Sequence, residues 1–196
     1  MKFRFTYSLA GECRVVKDTL TDLEAISEGD YEVWLPNGIS EQSSQASIHQ
    51  AIASELEESS AKSVRARMRK FTNKSSAKLD QFFEKYPLTP STIRVTLTRY
   101  GVGGYYESPN QIVINQRSTW DSLESAFVHE LVHLCIEEPL VLRHKLDDKA
   151  KEGLVDYIMM HDPIISQLIP DYREQSNMTA PTSEILQQLP ITTFSR

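Results

Sequence analysis

Cysteine is scarce in this chain. Cys13 and Cys135 are the only two among 196 residues, too few for a disulfide framework and set in dissimilar surroundings, so both are expected as free thiols. Long apolar runs are also missing. No stretch approaches the roughly eighteen apolar residues of a membrane span, and Lys2 and Arg4 are not followed by a signal-peptide core, which points to a protein made and kept in the cytoplasm. Positive charge falls short of negative, with a net charge of −6 and a pI near 5.4. That balance argues against a general nucleic-acid binder, because an acidic surface repels phosphate. The remaining composition, 40% hydrophobic and 24% charged, is ordinary for a globular protein and excludes disorder of the whole.

What the chain has is concentrated between residues 121 and 138. His129, Glu130 and His133 form the pattern H-E-x-x-H. On a helix, residues four apart lie about 40° apart around the axis, so both imidazoles project from one face and share one ion. Glu130 sits one step further round, near enough to hold a metal-bound water without ligating the metal. Leu123, Ala126, Phe127, Leu131 and Leu134 recur at helical spacing and would bury the opposite side, and Cys135 points away from the ligand face. Chance produces this pattern in about one per cent of chains of this length, so coincidence is a weak rival.

A zinc site with an open position needs a third protein ligand. Glu152 and Asp156 supply the candidates. A second helix starting near Asp147 and Asp148, whose charge suits a helix N-terminus, would bring both carboxylates to one face. Glu152 is read as the ligand and Asp156 as the acceptor that orients a ligating imidazole. Gly153 is read as a point of close packing against the first helix.

His129, Glu130 and His133 followed by Glu152 and Asp156 as E-x-x-x-D resemble the gluzincin group of zinc metallopeptidases, over residues 93 to 160. The resemblance implies an α+β, zincin-like fold. In it a small mixed sheet with an antiparallel edge strand packs on the helices that carry the zinc ligands. Strands at 93–100, 101–107 and 111–115, with a turn at 108–110, precede the motif in the family's order. It also implies one Zn²⁺ per chain and a peptide or protein substrate held as an extended strand along Gly103, Gly104, Tyr105 and Tyr106. Glu130 would be the general base. The acidic charge and the lack of long apolar runs, for their part, argue against nucleic-acid and membrane partners. His144 is the first candidate for the oxyanion-stabilising donor, with Tyr157 and His161 behind it. Two other functions are weighed: a zinc-holding binding or regulatory module shielded by its own tail, and a zinc hydrolase acting on a non-peptide bond.

The rest of the chain frames this core. Residues 1–38 read as strands at 3–9, 15–16 and 31–35 with a short helix near 21–26. Residues 44–71 read as one long amphipathic helix, through Ile48, Ile52, Leu56, Val64, Met68 and Phe71, and a second helix follows from Ser75 or Ser76 to Pro87. The acidic run Glu55, Glu57 and Glu58 precedes a basic run of Lys62, Arg65, Arg67, Arg69, Lys70 and Lys74, read as a solvated helix face, with a docking patch for an acidic partner or nucleic acid as the alternative. The division expected is 1–90 for strands and supporting helices, 91–162 for the catalytic core and 163–196 for a C-terminal strap, all in one compact domain. The strap carries a short helix at 183–189 and is the segment that would cover the cleft.

Overall fold

A computed structural model describes residues 1–28, 31–56, 58–117, 122–175 and 178–190, with residues 58–60 as backbone only. The expectations for Asp121, Glu57, the Glu58 side chain, residues 176–177 and the tail 191–196 lie outside the described residues.

Strands β1 (Lys2–Thr6), β2 (Thr92–Thr98), β3 (Gly104–Glu107) and β4 (Gln111–Asn115) form one mixed sheet in the order β1-β2-β4-β3. The first, second and fourth run parallel, while β3 is an outer strand antiparallel to β4. The helices are α1 (Leu9–Thr21), α2 (Leu23–Glu28), α3 (Gln45–Glu55), α4 (Glu58–Lys74), α5 (Ser76–Lys85), α6 (Leu123–Ile136), α7 (Asp148–His161), α8 (Ile165–Leu168) and α9 (Ser183–Leu186). A π-helical turn, Glu137–Leu142, continues α6. No helix among the described residues is long and apolar enough to cross a membrane.

The two-residue period of β2 sorts its side chains. Ile93, Val95 and Leu97 join Ile112 and Ile114 of β4 in the main core, against α6, while Thr98 turns to α1 and meets the Glu12 carboxylate. That carboxylate is wholly buried, and it also accepts from the Arg99 backbone N–H at 3.1 Å. Burial pushes the Glu12 carboxyl above its ordinary range, against the lowering effect of these bonds.

The first 38 residues depart from the expected β structure. Ser8 closes β1 by capping α1, its hydroxyl accepting from Gly11 N at 3.1 Å. Val15 and Val16, expected in a strand, are buried in that helix with Glu12 and Thr19. These four fall at i, i+3, i+4 and i+7, a helical face that two adjacent valines read alone conceal. The strand expected at 31–35 reduces to a single bridge between Trp34 and Gly101.

The long helix expected over 44–71 is two. Ile48 and Ile52 of α3 pack in a small second core with Val16 and Tyr100, whereas Met68 of α4 belongs to the main core. One straight helix cannot serve both, and the chain breaks at Leu56, which is extended. Glu55 fixes the break: its carboxylate accepts from Asn37 N and from the Tyr100 hydroxyl, each at 2.8 Å, and its carbonyl accepts from Arg99 at 2.6 Å. The eight-residue gap between Leu56 and Val64 in the apolar pattern spans this break.

Candidate metal centre

Helix α6 is buried at every residue from Ser125 to Ile136. Ser122 starts it by accepting from Ser125 N at 3.0 Å, and Arg67 of the basic run forks onto Glu124 at 2.7 and 2.5 Å. Ala126, Phe127, Leu131, Leu134 and Cys135 enter the main core. Helical geometry then turns His129, Glu130 and His133 toward β3 and α7. Helix α7 begins at Asp147, whose carboxylate accepts from Ala150 N at 2.8 Å, as the sequence leads one to expect. One turn further on it delivers Glu152.

The three candidate ligand atoms converge. His129 Nε2 and His133 Nε2 lie 3.0 Å apart, and each is 3.1 Å from Glu152 Oε2. Donors of a tetrahedral zinc ion, bound at about 2.0–2.1 Å, sit roughly 3.3 Å from one another, so the cluster has nearly the spacing such an ion requires. Two imidazoles and a carboxylate are also an accepted donor set for it. Burial pushes His133 down to about 4, which keeps it neutral with a lone pair to give. Burial alone would raise the Glu152 carboxyl, but the His129 and His133 imidazoles that face it outweigh burial, hold it well below the usual range and keep it ionised. The cluster fits a metal ion.

Glu130 lies beside it and does not join it. Only 4% exposed, its carboxyl is pushed up by burial to about 7. The outer strand comes down on this carboxylate: a Cβ placed on Gly104 would stand 2.9 Å from Glu130 Oε1. A cavity of about 490 Å³ opens here, lined among others by His129, Glu130, His133, Glu152, Gly104 and Tyr105.

The strand residues divide their work. Gly103 gives its carbonyl to Asn115 N at 3.0 Å, inside the sheet. Backbone groups alternate along an antiparallel pair, so Gly104 and Tyr106 turn their N–H and C=O to the free edge. The Tyr106 ring stacks on His133 with centroids 4.8 Å apart, and its hydroxyl donates to Glu137 at 2.6 Å. This stacking holds His133, whose Nδ1 is buried without a hydrogen-bond partner among the described residues.

Asp156 is present but acts at one remove. Its Oδ1 accepts from the Tyr172 hydroxyl at 2.5 Å, and that same oxygen of Tyr172 lies 2.9 Å from His129 Nδ1. The direct bond from Asp156 to an imidazole expected from the sequence is thus relayed by a tyrosine. Gln175 is a second unforeseen member, its amide donating to Glu152 Oε2 at 3.0 Å and its backbone N–H to Asp156 Oδ2 at 2.8 Å. Lys151, also unforeseen, lines the cavity with its ammonium 5.7 Å from the Tyr106 ring centre. No motif marks Tyr172 or Gln175; for Lys151 the signal was its place beside Glu152.

His144 is not brought to the cavity. It sits beyond the π-helical turn, paired with Gln188 at 3.1 Å. Tyr157 and His161 stack on each other and line a different hollow along α7. Gly153 does mark a close approach, but not to α6: a Cβ there would meet the Thr179 carbonyl oxygen at 2.0 Å, so its neighbour is the C-terminal strap.

His129, His133 and Glu152 form a cluster able to hold a metal ion, set in a small mixed α and β fold. No protein-family model, curated protein or solved structure matches the chain.

Proposed function

We propose that this chain is a zinc-dependent peptidase of the gluzincin type, with a zincin-like placement of sheet and ligand-bearing helices. The observation that carries the reading is the convergence of His129, His133 and Glu152 to within 3.1 Å, beside a buried Glu130 and beneath the outer strand of a sheet. Three protein ligands among the described residues, rather than four, is the pattern of a catalytic site and not a structural one. A zinc ion held there supplies Lewis acidity, which polarises a carbonyl and makes water acidic near neutral pH.

The chain's own residues do the rest. Glu130 takes a proton from the attacking water and delivers it to the departing amine as the peptide bond breaks. Gly104 and Tyr106 offer their outward N–H and C=O groups to an extended peptide, which pairs as an added strand while Tyr105 lines the cavity beneath it. Lys151 is the one lysine or arginine lining that cavity among the described residues; its ammonium, which also donates to Asp148 at 3.1 Å, would meet negative charge developing on the carbonyl oxygen.

Gln175 also favours a second reading, because its amide occupies a lone pair of Glu152 Oε2, the oxygen offered to the metal. In that reading the strap shields a zinc-holding module. Elemental analysis with a peptide-library digest separates the two. One zinc per chain with cleavage, lost by roughly 10³- to 10⁴-fold in Glu130→Gln at equal zinc content, supports the peptidase. Zinc without cleavage supports the shielded module, and protein that takes up no zinc overturns both.

A further inference from the structure

We infer that Tyr172 is a positioning residue of the metal centre, relaying Asp156 to His129, so that the C-terminal strap is a working part of the site rather than a cover. This rests on the reading of His129 as a metal ligand.

The proton count around the phenol carries the inference. A tyrosine hydroxyl has one proton and two lone pairs. The proton goes to Asp156 Oδ1, a carboxylate oxygen 3% exposed as a residue and fixed on its other side by the Gln175 backbone N–H. Toward His129, 2.9 Å away, Tyr172 can therefore only accept. His129 must carry its proton on Nδ1, and a neutral imidazole so protonated has its lone pair on Nε2, the atom that faces His133 and Glu152. The relay selects the tautomer a metal needs and fixes the ring's tilt. His133 has the Tyr106 stack for that purpose; the Tyr172 ring lies at 23° to the His129 ring with centroids 6.2 Å apart, and reaches Nδ1 through its oxygen.

The strap is held firmly enough to do this. Asp162, wholly buried, accepts from Lys85 at 3.1 Å and from the N–H groups of Ile164 and Ile165 at 2.8 and 3.2 Å, which starts α8. Tyr172 follows α8, its N–H bonding to Ile169 O at 3.3 Å. Further along, Thr179 N bonds to Lys149 O at 3.2 Å and lies against Gly153.

The test is zinc affinity of the full chain, measured by competition with a chromophoric chelator, for wild type, Tyr172→Phe, Asp156→Asn and the double variant. Groups that orient a ligating imidazole change metal affinity by roughly 10- to 100-fold, and Tyr172→Phe is expected to lose that much. Asp156→Asn should lose a similar factor and the double variant no more than the worse single, since the two act as one chain. The visible spectrum of the Co²⁺-substituted protein should change in Tyr172→Phe, while the melting temperature of the metal-free protein should fall only by the few degrees that one lost hydrogen bond costs. Wild-type affinity in Tyr172→Phe overturns the inference and leaves the metal site standing. So does a large fall in metal-free stability combined with unchanged affinity in Asp156→Asn. A wild type that binds neither Zn²⁺ nor Co²⁺ overturns the metal reading itself, and the inference with it.

Discussion

Gly104→Ala separates the proposed base from the metal. The added methyl group would lie 2.9 Å from Glu130 Oε1 and 3.4 Å from both Glu130 Cγ and the Val113 carbonyl oxygen. Only the first contact is too short, by about 0.5 Å against ordinary carbon–oxygen contact. It is made to the free end of a side chain, which yields by rotating, so the fold should tolerate it. Alanine's smaller entropy loss in the strand works in its favour, and net stability should stay within roughly 1 kcal/mol, or about 2–4 °C in melting temperature. Catalysis should not tolerate it. A misplacement of about 1 Å at a reacting group costs up to 10²-fold, so half that shift of the Glu130 carboxylate predicts a loss near 10-fold in kcat/KM. The proposed ligands are His129, His133 and Glu152, whose mutual distances the methyl group does not touch, so zinc content should remain at the wild-type level.

The assay is hydrolysis of any peptide that the wild type cleaves, read with zinc content and a thermal melt on the same sample. Full activity at full zinc content would refute the placement of Glu130 as the base beneath the outer strand. Loss of zinc would show that the methyl group distorts the ligands instead. A cycle with Glu130→Gln adds a stricter check, because once the base is gone Gly104→Ala has nothing left to displace and should cost no further activity.

Gly153→Ala should behave in the opposite way: the obstructing atom is the Thr179 backbone oxygen at 2.0 Å, so helix and strap must part. Overpacking of this kind costs about 1–3 kcal/mol or more against the roughly 1 kcal/mol gained in helix propensity, and a fall in melting temperature is expected; a rise would show that the strap does not press on α7. Glu12 supplies a pH dependence. Its carboxyl is raised above 4.5 by burial, so the stability it contributes is fully present below the unfolded value and is lost as pH rises through the folded one. Glu12→Gln should therefore gain on wild type in thermal melts as pH is raised from acid toward neutral, and a difference that stays flat with pH would refute the shift.

The helices that carry the His–His–Glu cluster were legible because their signals are local. A ligand pair at i and i+4, a serine or aspartate cap and an apolar stripe are all set by helical geometry within a dozen residues. The strands of the core declared themselves by alternation, and the sheet brings β3 to the edge above the motif. Residues 1–38 were misread for a related reason. Phe3 and Phe5 alternate as a strand should, but the alternation runs on in sequence past Thr6, where Ser8 has already turned the chain into α1. Helix α3 and helix α4 share one apolar rhythm apart from the gap between Leu56 and Val64, and it is the existence of two cores, invisible in the sequence, that requires a break in that gap.

Gly153 shows where such reading stops. A glycine inside a helix signals that something approaches the backbone, and that much was right. Sequence gives no direction for the approach, because the partner is a segment 26 residues away whose position depends on Asp162, Lys85 and α8. Tyr172 and Gln175 were hidden by the same dependence. Neither has a spacing to the motif that any repeat of helix or strand would produce, and each reaches the cluster only because the strap is nailed down on both sides of α7. The His–His–Glu cluster needs two helices to pack; the Tyr172 contact that would orient His129 needs a third segment to return across them. A ligand set can therefore be read from spacing, whereas the groups that make its nitrogen face the right way must be found in the folded chain.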